Sequence, residues 1–424
     1  MKYPNKTAMV VAHGLFLPIV ERITRDFGKV YFWLPGRETT FPTTNLGLVG
    51  HGINAERVDS VFGRHFDKCD VFIFPDVGFP ELQIYLEELG KRVWGSRNGE
   101  ELELYRETCK QLMQQVGLPV QPWKVVRGMK ALRAHLQSNE MQHVKIDRWR
   151  GNFETFFAEN YNLVQPRLDD IANTMGGFQE MIDFIVEDDL PDRVEIGLDC
   201  YCIDGEFPNK TLCGIEVKNL GYISQFFGWD EIPEPVRRWN EKMAPFLRQY
   251  GYRGFLSTEV RIGKDHEPYM IDACCRAGSP PSELYQEFYK NFHEIIWEGA
   301  DGNLIDPEPN GKFGVQVVLK SEWAETHWQP VYCDPKFERN IKLFNVAIVD
   351  GKRYVVPQNE EMNEIGAVVG WGDTLQDAID MAQEAGDSLS GYGIKFNIGP
   401  IDLARKEVEN LEKLNLSPFT FDKS

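Results

Sequence analysis

Tyr252–Gly278 reads YRGFLSTEVRIGKDHEPYMIDACCRAG. Two apolar runs, Gly254–Ile262 and Tyr269–Ala273, flank the polar stretch Gly263–Glu267, a pattern that predicts an antiparallel hairpin. Glu259 lies inside the first strand and Asp272 inside the second. Side chains alternate across a strand, so two such carboxylates can point into one space on one face of the sheet. Paired carboxylates of this kind suit a hard divalent cation such as magnesium, which takes oxygen ligands and keeps places for water and phosphate oxygens. Arg276 follows at the end of the second strand, within reach of the same phosphates or of a developing anion. The same residues also read as a hairpin with two solvated acids and a surface arginine, since exposed acids are common on strands that face water.

Upstream of the hairpin, the first ~95 residues alternate short apolar strands with helical segments. Met9–Ala12, Val30–Leu34, Asp70–Pro75 and Arg92–Trp94 are the strands, and Leu17–Phe27 and Glu81–Leu89 are spaced as helices. That order predicts a parallel, doubly wound sheet. HGLFLP after the first strand carries no G-x-G-x-x-G, so no dinucleotide fingerprint is present. A helix is expected over Glu101–Val116, ended by Gly117, with Pro119 and Pro122 keeping the next segment extended. Strands follow at Lys124–Val126, His143–Ile146 and Ile182–Val186, with a helix near Met129–Leu136. Val194–Ile203 turns at Asp204-Gly205 and reads as half of another hairpin. The change from parallel to antiparallel signals near residue 95 marks a change of architecture. Downstream, DPEPNGK after residue 305 resembles a linker, beyond which Gly314–Leu319, Ile348–Val355 and a Thr374-capped helix predict a small α+β unit. A charged helix over Leu403–Leu414 closes the pattern.

With 424 residues and 42% hydrophobic content, the chain is long enough for two to four domains. Its net charge of −19 argues against an extended nucleic-acid or anionic-membrane surface, while leaving room for a small basic pocket. Met1–Gly14 lacks the layout of a signal peptide, and no apolar run approaches the ~20 residues of a membrane span. A soluble, cytoplasmic protein without membrane contacts is the expectation. None of the eight cysteines forms a C-x-x-C pair, so reduced, mostly buried thiols are expected rather than a zinc site. The aromatic run Phe226–Trp229, with Trp239, reads either as core packing or as a pocket wall. His13 and Ser388 prompt a search for a serine triad, but no G-x-S-x-G elbow supports one.

The order of these elements resembles the ATP-grasp superfamily, and most of all its phosphoribosylamine–glycine ligase branch, over nearly the whole chain. YRGFL…E…YMIDACCRAG is similar to the family's Y-x-G-F-L strand followed by a strand ending in (E/D)-x-N-x-R-x-G, and GWGDTLQDAIDMA is similar to the G-D-T-L-x-x-A helix start of its last domain. The resemblance implies a Rossmann-like domain at 1–97, a two-part ATP-grasp core at 98–304 with a nucleotide-binding part near 120–190, and a small α+β domain at 305–424. It implies ATP and magnesium as cofactors, with manganese an alternative. It places Glu259 and Asp272 as metal ligands and Arg276 as the catalytic arginine. It further implies Arg106, Lys145 and Lys218 on phosphates or substrate, and Glu187 and Glu195 on the ribose beside a hinge at IVEDDLPD. Small carboxylate and amine substrates, and a monomer or homodimer, are implied as well.

Three departures stand out. Cys274 replaces the family's metal-binding Asn, and thiol is a poor partner for magnesium. The phosphate-covering loop reads DRWRGNFETF, with one glycine, Gly151, between Arg148 and Arg150 on one side and Asn152 on the other. Those arginines offer a phosphate clamp in place of a backbone cradle. The front domain lacks the ligase's glycine-rich opening, so the sugar-phosphate substrate is not carried over. Divergence with the order kept is similar to that of phage-encoded ATP-grasp proteins, for which the compartment would be the host cytoplasm. Two functions follow: a carboxylate–amine ligase working through an acyl phosphate with release of ADP, or a nucleotide-binding scaffold that has lost turnover.

Overall fold

The computed structural model describes residues 1–35, 47–147, 155–358 and 363–420. Tyr3–Val11, Phe27–Trp33, Val71–Ile73 and Arg92–Trp94 form the expected parallel sheet, joined by Glu56–Val58 at the edge beyond Phe27–Trp33. Tyr3–Val11 lies at its centre, and its alternate residues serve two cores. Ala8 and Val10 pack toward the rest of the molecule, while Met9 and Val11 pack on a smaller cluster with Phe72, Phe74 and Leu86. A sheet buried on both faces explains why these strands read as unbroken apolar runs.

The hairpin forms as expected, Arg253–Ile262 against Tyr269–Cys274. It is one edge of an eight-stranded sheet that continues through Val194–Ile203, Lys210–Val217, Gly221–Gly228, Phe313–Lys320, Glu364–Gly372 and Ile341–Leu343. The last three strands lie beyond residue 305, so the large sheet runs on across that point and its core is shared. The single strand expected over Ile348–Val355 is instead a hairpin, Val346–Val349 with Lys352–Val355, because Asp350 and Gly351 both take positive φ (50° and 74°) and reverse the chain.

A separate four-stranded sheet, ordered Trp123–Arg127, Asp183–Asp188, Gln142–Ile146 and Thr155–Ala158, packs against helices Met129–Leu136 and Tyr161–Met175. Its core, which includes Leu132, Val144, Leu168 and Phe184, is distinct from the main one. Toward the rest of the chain it presents the opposite face of its strands, and there the charged residues lie. The helix expected over Glu101–Val116 is broken: Glu101–Leu104 ends at Tyr105 (φ −110°, ψ 77°) and Arg106–Gln115 begins anew. The aromatic run is core packing. Phe226 meets Phe288, Phe227 meets Phe419, Trp229 stacks on Phe207, and Trp239 is buried. Among the described residues no helix is long and apolar enough to cross a membrane.

Candidate active site

The four-stranded sheet and the hairpin end of the large sheet face each other across a cavity of about 620 Å³, within the range of small-molecule sites. Its floor is built by strand alternation. Val194, Ile196 and Leu198 point into the core, so Glu195 faces the cleft, while Asp199, further along the same face, is buried under Tyr222, whose hydroxyl donates to it. By the same alternation Val260 and Ile262 go in, and Glu259 and Arg261 come out. Glu259 stands directly opposite Asp272 in the register. Gly197 pairs with Glu259 on one side and Gly214 on the other, and the place a side chain on Gly214 would take is filled by the ring of Tyr222. Arg261 Nε reaches Glu195 at 3.4 Å.

Glu216 and Lys218 join the same floor from strand Lys210–Val217 and the turn after it. Burial, followed by the neighbouring Glu216 carboxylate, pushes Glu259 well above the usual carboxylate range. Burial likewise pushes Glu216 up to about 7, against the pull of Lys218. At Lys218, desolvation works against the charge, but Glu216, Glu259, Asp272 and Glu195 overcome it and raise its pKa. A floor that holds its acids so reluctantly is one that a cation would stabilise. Among the described residues no three His, Cys, Asp or Glu side chains close around one point. Two facing carboxylates with further positions left open match magnesium, whose remaining ligands are water and phosphate oxygens.

The opposite wall is cationic. In Gln142–Ile146, Val144 and Ile146 fill the small core, which turns Lys145 to the cleft. Its Nζ donates to Ile271 O at 2.5 Å and to Asp272 Oδ1 at 3.2 Å, and lies 3.8 Å from Glu187. Ile271 is the extra residue of a β-bulge between the pairs Glu259–Asp272 and Val260–Met270, and the bulge brings its carbonyl to the lysine. Burial opposes the charge on Lys145, but Asp272 and Glu187 outweigh it and raise the pKa. Arg106, at the start of the second helix, donates to Ile146 O at 3.0 Å and lies 3.8 Å from Asp272. Lys110, one helical turn on, pairs with Glu187 at 2.6 Å.

Arg276 occupies the far end. Its Nε donates to Glu103 Oε1 at 2.9 Å, while the other oxygen of Glu103 accepts Cys275 N at 2.7 Å. Asp76, at the edge of the parallel sheet, lies 3.7 Å from Arg276 and 2.9 Å from His13 Nε2. His13 and Asp76 follow adjacent strands whose connections leave in opposite directions, the crevice where ligands enter open α/β sheets.

The structure therefore brings Arg106, Lys145, Glu187, Glu195, Lys218, Glu259, Asp272 and Arg276 to one cleft. Arg148 and Arg150 lie outside the described residues. Glu187, expected on the ribose, stands near the end of strand Asp183–Asp188 and lines the cleft. Its carboxylate is 2% exposed and engaged by Lys110, Lys145 and Gln121, which sets it behind the lysines. Sequence reasoning missed Glu103, Lys110, Gln121 and Glu216. Lys110 and Glu216 carried a signal, standing four residues from Arg106 and two from Lys218, on shared faces. Glu103 and Gln121 carried none, because their partners are distant in sequence.

No protein-family profile matches the sequence, and no curated protein matches it. Solved structures do match its fold. Phosphoribosylamine–glycine ligase from Thermotoga maritima superposes with a TM-score of 0.69 at 16% identity, covering 92% of this chain and 98% of that one. Biotin carboxylase from Campylobacter jejuni, in complex with an ATP analogue, gives 0.62 at 16% identity over 97% and 95%. The biotin carboxylase domain of the Hydrogenobacter thermophilus 2-oxoglutarate carboxylase, solved with MgADP and bicarbonate, gives 0.65 at 14% identity over 98% of each chain. The chain thus has the ATP-grasp fold. Within that fold it resembles phosphoribosylamine–glycine ligase over nearly the full length of both chains.

Proposed function

We propose that the protein is an ATP-dependent ligase that joins a carboxylate to an amine through an acyl phosphate, releasing ADP and phosphate. The observation that carries this reading is the pair Glu259 and Asp272, directly opposed on one sheet, with Lys145 reaching Asp272 from the other. The neighbours solved with an ATP analogue and with MgADP support a nucleotide in this cleft.

On this reading the nucleotide lies between the two sheets, within the 98–304 core flanked by regions 1–97 and 305–424. Lys145 and Arg106 hold phosphate oxygens, the first as a point charge and the second as a fork. Lys110 and Glu187 keep Lys145 in place, Glu195 lies on the ribose side, and Lys218 covers the phosphate or substrate side. Arg148 and Arg150 add a phosphate clamp. Glu259 and Asp272 hold magnesium, or manganese in its stead, which neutralises phosphate charge when bound. Arg276, oriented by Glu103, is the catalytic residue that stabilises the negative charge developing on the oxygens of the phosphoryl and acyl groups. The carboxylate attacks the γ-phosphorus, ADP leaves, and the amine then displaces phosphate from the acyl group. Each step depends on position and charge rather than on a protein nucleophile. The small carboxylate and amine are met by a cytoplasmic monomer or homodimer.

Incubation with ATP, magnesium, hydroxylamine and a panel of carboxylates tests this. ADP release with hydroxamate formation on at least one acid is expected, because hydroxylamine traps an acyl phosphate. Release of AMP would contradict the mechanism. Nucleotide binding without turnover on any acid would favour the scaffold reading, which Cys274 at the position of the family's Asn motivates.

A further inference from the structure

A parallel sheet buries both faces, as a rule under crossover helices. On the face of the front sheet that turns away from the rest of the molecule, that cover is thin. The connection from Glu56–Val58 to Val71–Ile73, residues 59–70, holds only the single helical turn Phe66–Lys68. Val61 and Phe66 of this loop, with Leu82 and Leu86 of helix Pro80–Glu88, close the small core over Met9, Val11 and Phe72. Outside them Phe62, Tyr85 and Leu89 stay 49%, 48% and 46% exposed. The Phe62 ring lies 6.2 Å from Tyr85 and 5.3 Å from Phe66, and Leu89 follows Tyr85 by one helical turn, so loop and helix share one apolar patch.

Charge divides around this patch. Glu81 and Glu88 stand about one turn to either side of Tyr85 on the helix, while Arg64 and Lys68 follow Phe62 and Phe66 on the loop. All four are exposed, and among the described residues none of them forms an ion pair within the chain. A patch that is acidic along one side and basic along the other carries its own complement. A second copy supplies both signs at once.

We infer that this face is the contact between two copies of the chain, related by a twofold axis through the patch. The axis lays the helix of each copy on the loop of the other, so Glu81 and Glu88 of one meet Arg64 and Lys68 of the other, twice over. Three half-exposed side chains give an apolar centre on the order of 300 Å² per copy. The charged rim adds the rest of the about 800 Å² that a stable dimer buries on each partner.

Sedimentation velocity over a series of concentrations tests this on the wild type, on Glu81→Lys with Glu88→Lys, on Arg64→Glu with Lys68→Glu, and on an equimolar mixture of the two variants. The wild type should sediment as a dimer at low micromolar concentration. Each variant alone should dissociate at least about tenfold more readily, because like charges then face each other in both halves of the contact. Mixing them should restore the dimer, since acid again meets base, and a misfolded variant could not be rescued in that way. A wild type that stays monomeric at every concentration would overturn the inference. A dimer that survives in both variants would place the contact elsewhere and overturn it too. So would variants that dissociate and are not rescued by mixing.

Discussion

Lys145 shows how much one side chain depends on its surroundings. It is 3% exposed, bridges the two sheets, and keeps its charge because Asp272 and Glu187 outweigh its burial. Lys145→Met should weaken ATP by at least about tenfold in calorimetry, the worth of a charged hydrogen bond, and leave Glu187 with Lys110 and the amide of Gln121. Glu100 gives a pH prediction. Burial pushes it up to about 7, although Gly78 N–H donates to it at 2.7 Å. A carboxyl whose folded pKa is raised contributes stability below its unfolded value, near 4.5, and loses that contribution as pH rises through about 7. Glu100→Gln keeps an acceptor and drops the charge, so it should be more stable than the wild type at pH 8, on the order of 2 kcal/mol, and not at pH 5. Denaturant titrations at the two pH values measure this, and a pH-independent difference would contradict it. Glu259, Asp272 and Arg276 were legible in the sequence because a single hairpin holds all three. Gln121 and Glu103 were not, since each acquires meaning from a partner brought up by tertiary packing.

At the scale of elements, small irregularities aim the site. The bulge at Ile271 turns a carbonyl to Lys145, and the break at Tyr105 separates the turn carrying Glu103 from the helix carrying Arg106. Neither is visible in a periodicity, which reads Glu101–Val116 as one helix. Glu56–Val58 was likewise illegible: three residues, two of them charged, pair as an edge strand with no apolar signal. The Thr374 helix was legible from its cap, and it packs closely. A Cβ on Gly370 would lie 2.1 Å from Ala378 O. Gly370→Ala should therefore cost about 1–3 kcal/mol by overpacking, read as a shifted denaturation midpoint. Thr374→Ala should cost about 1 kcal/mol through the lost capping box.

The whole molecule is fastened at Glu287, which is fully buried. It pairs with Arg25 from the front region, with Arg339 at 3.0 Å, and with Lys342 from a strand beyond residue 305. Burial alone would raise its pKa, but Lys342 and Arg25 depress it below the usual carboxylate range. A depressed carboxyl contributes stability above its unfolded pKa, near 4.5, and loses it as pH falls toward the folded value. Glu287→Gln leaves three cations without their anion and should cost about 3–5 kcal/mol at pH 7, with the difference shrinking below pH 4.5. The layered fold was legible because parallel and antiparallel signals separate near residue 95. The continuity of the large sheet past residue 305 was not, because strand order is a tertiary fact.

Magnesium-dependent ATP binding tests the central claim most directly, measured by calorimetry on the wild type and on Glu259→Ala combined with Asp272→Ala. The account predicts that magnesium strengthens binding in the wild type and has no such effect in the double variant. Binding that is indifferent to magnesium and to the loss of both carboxylates would contradict it.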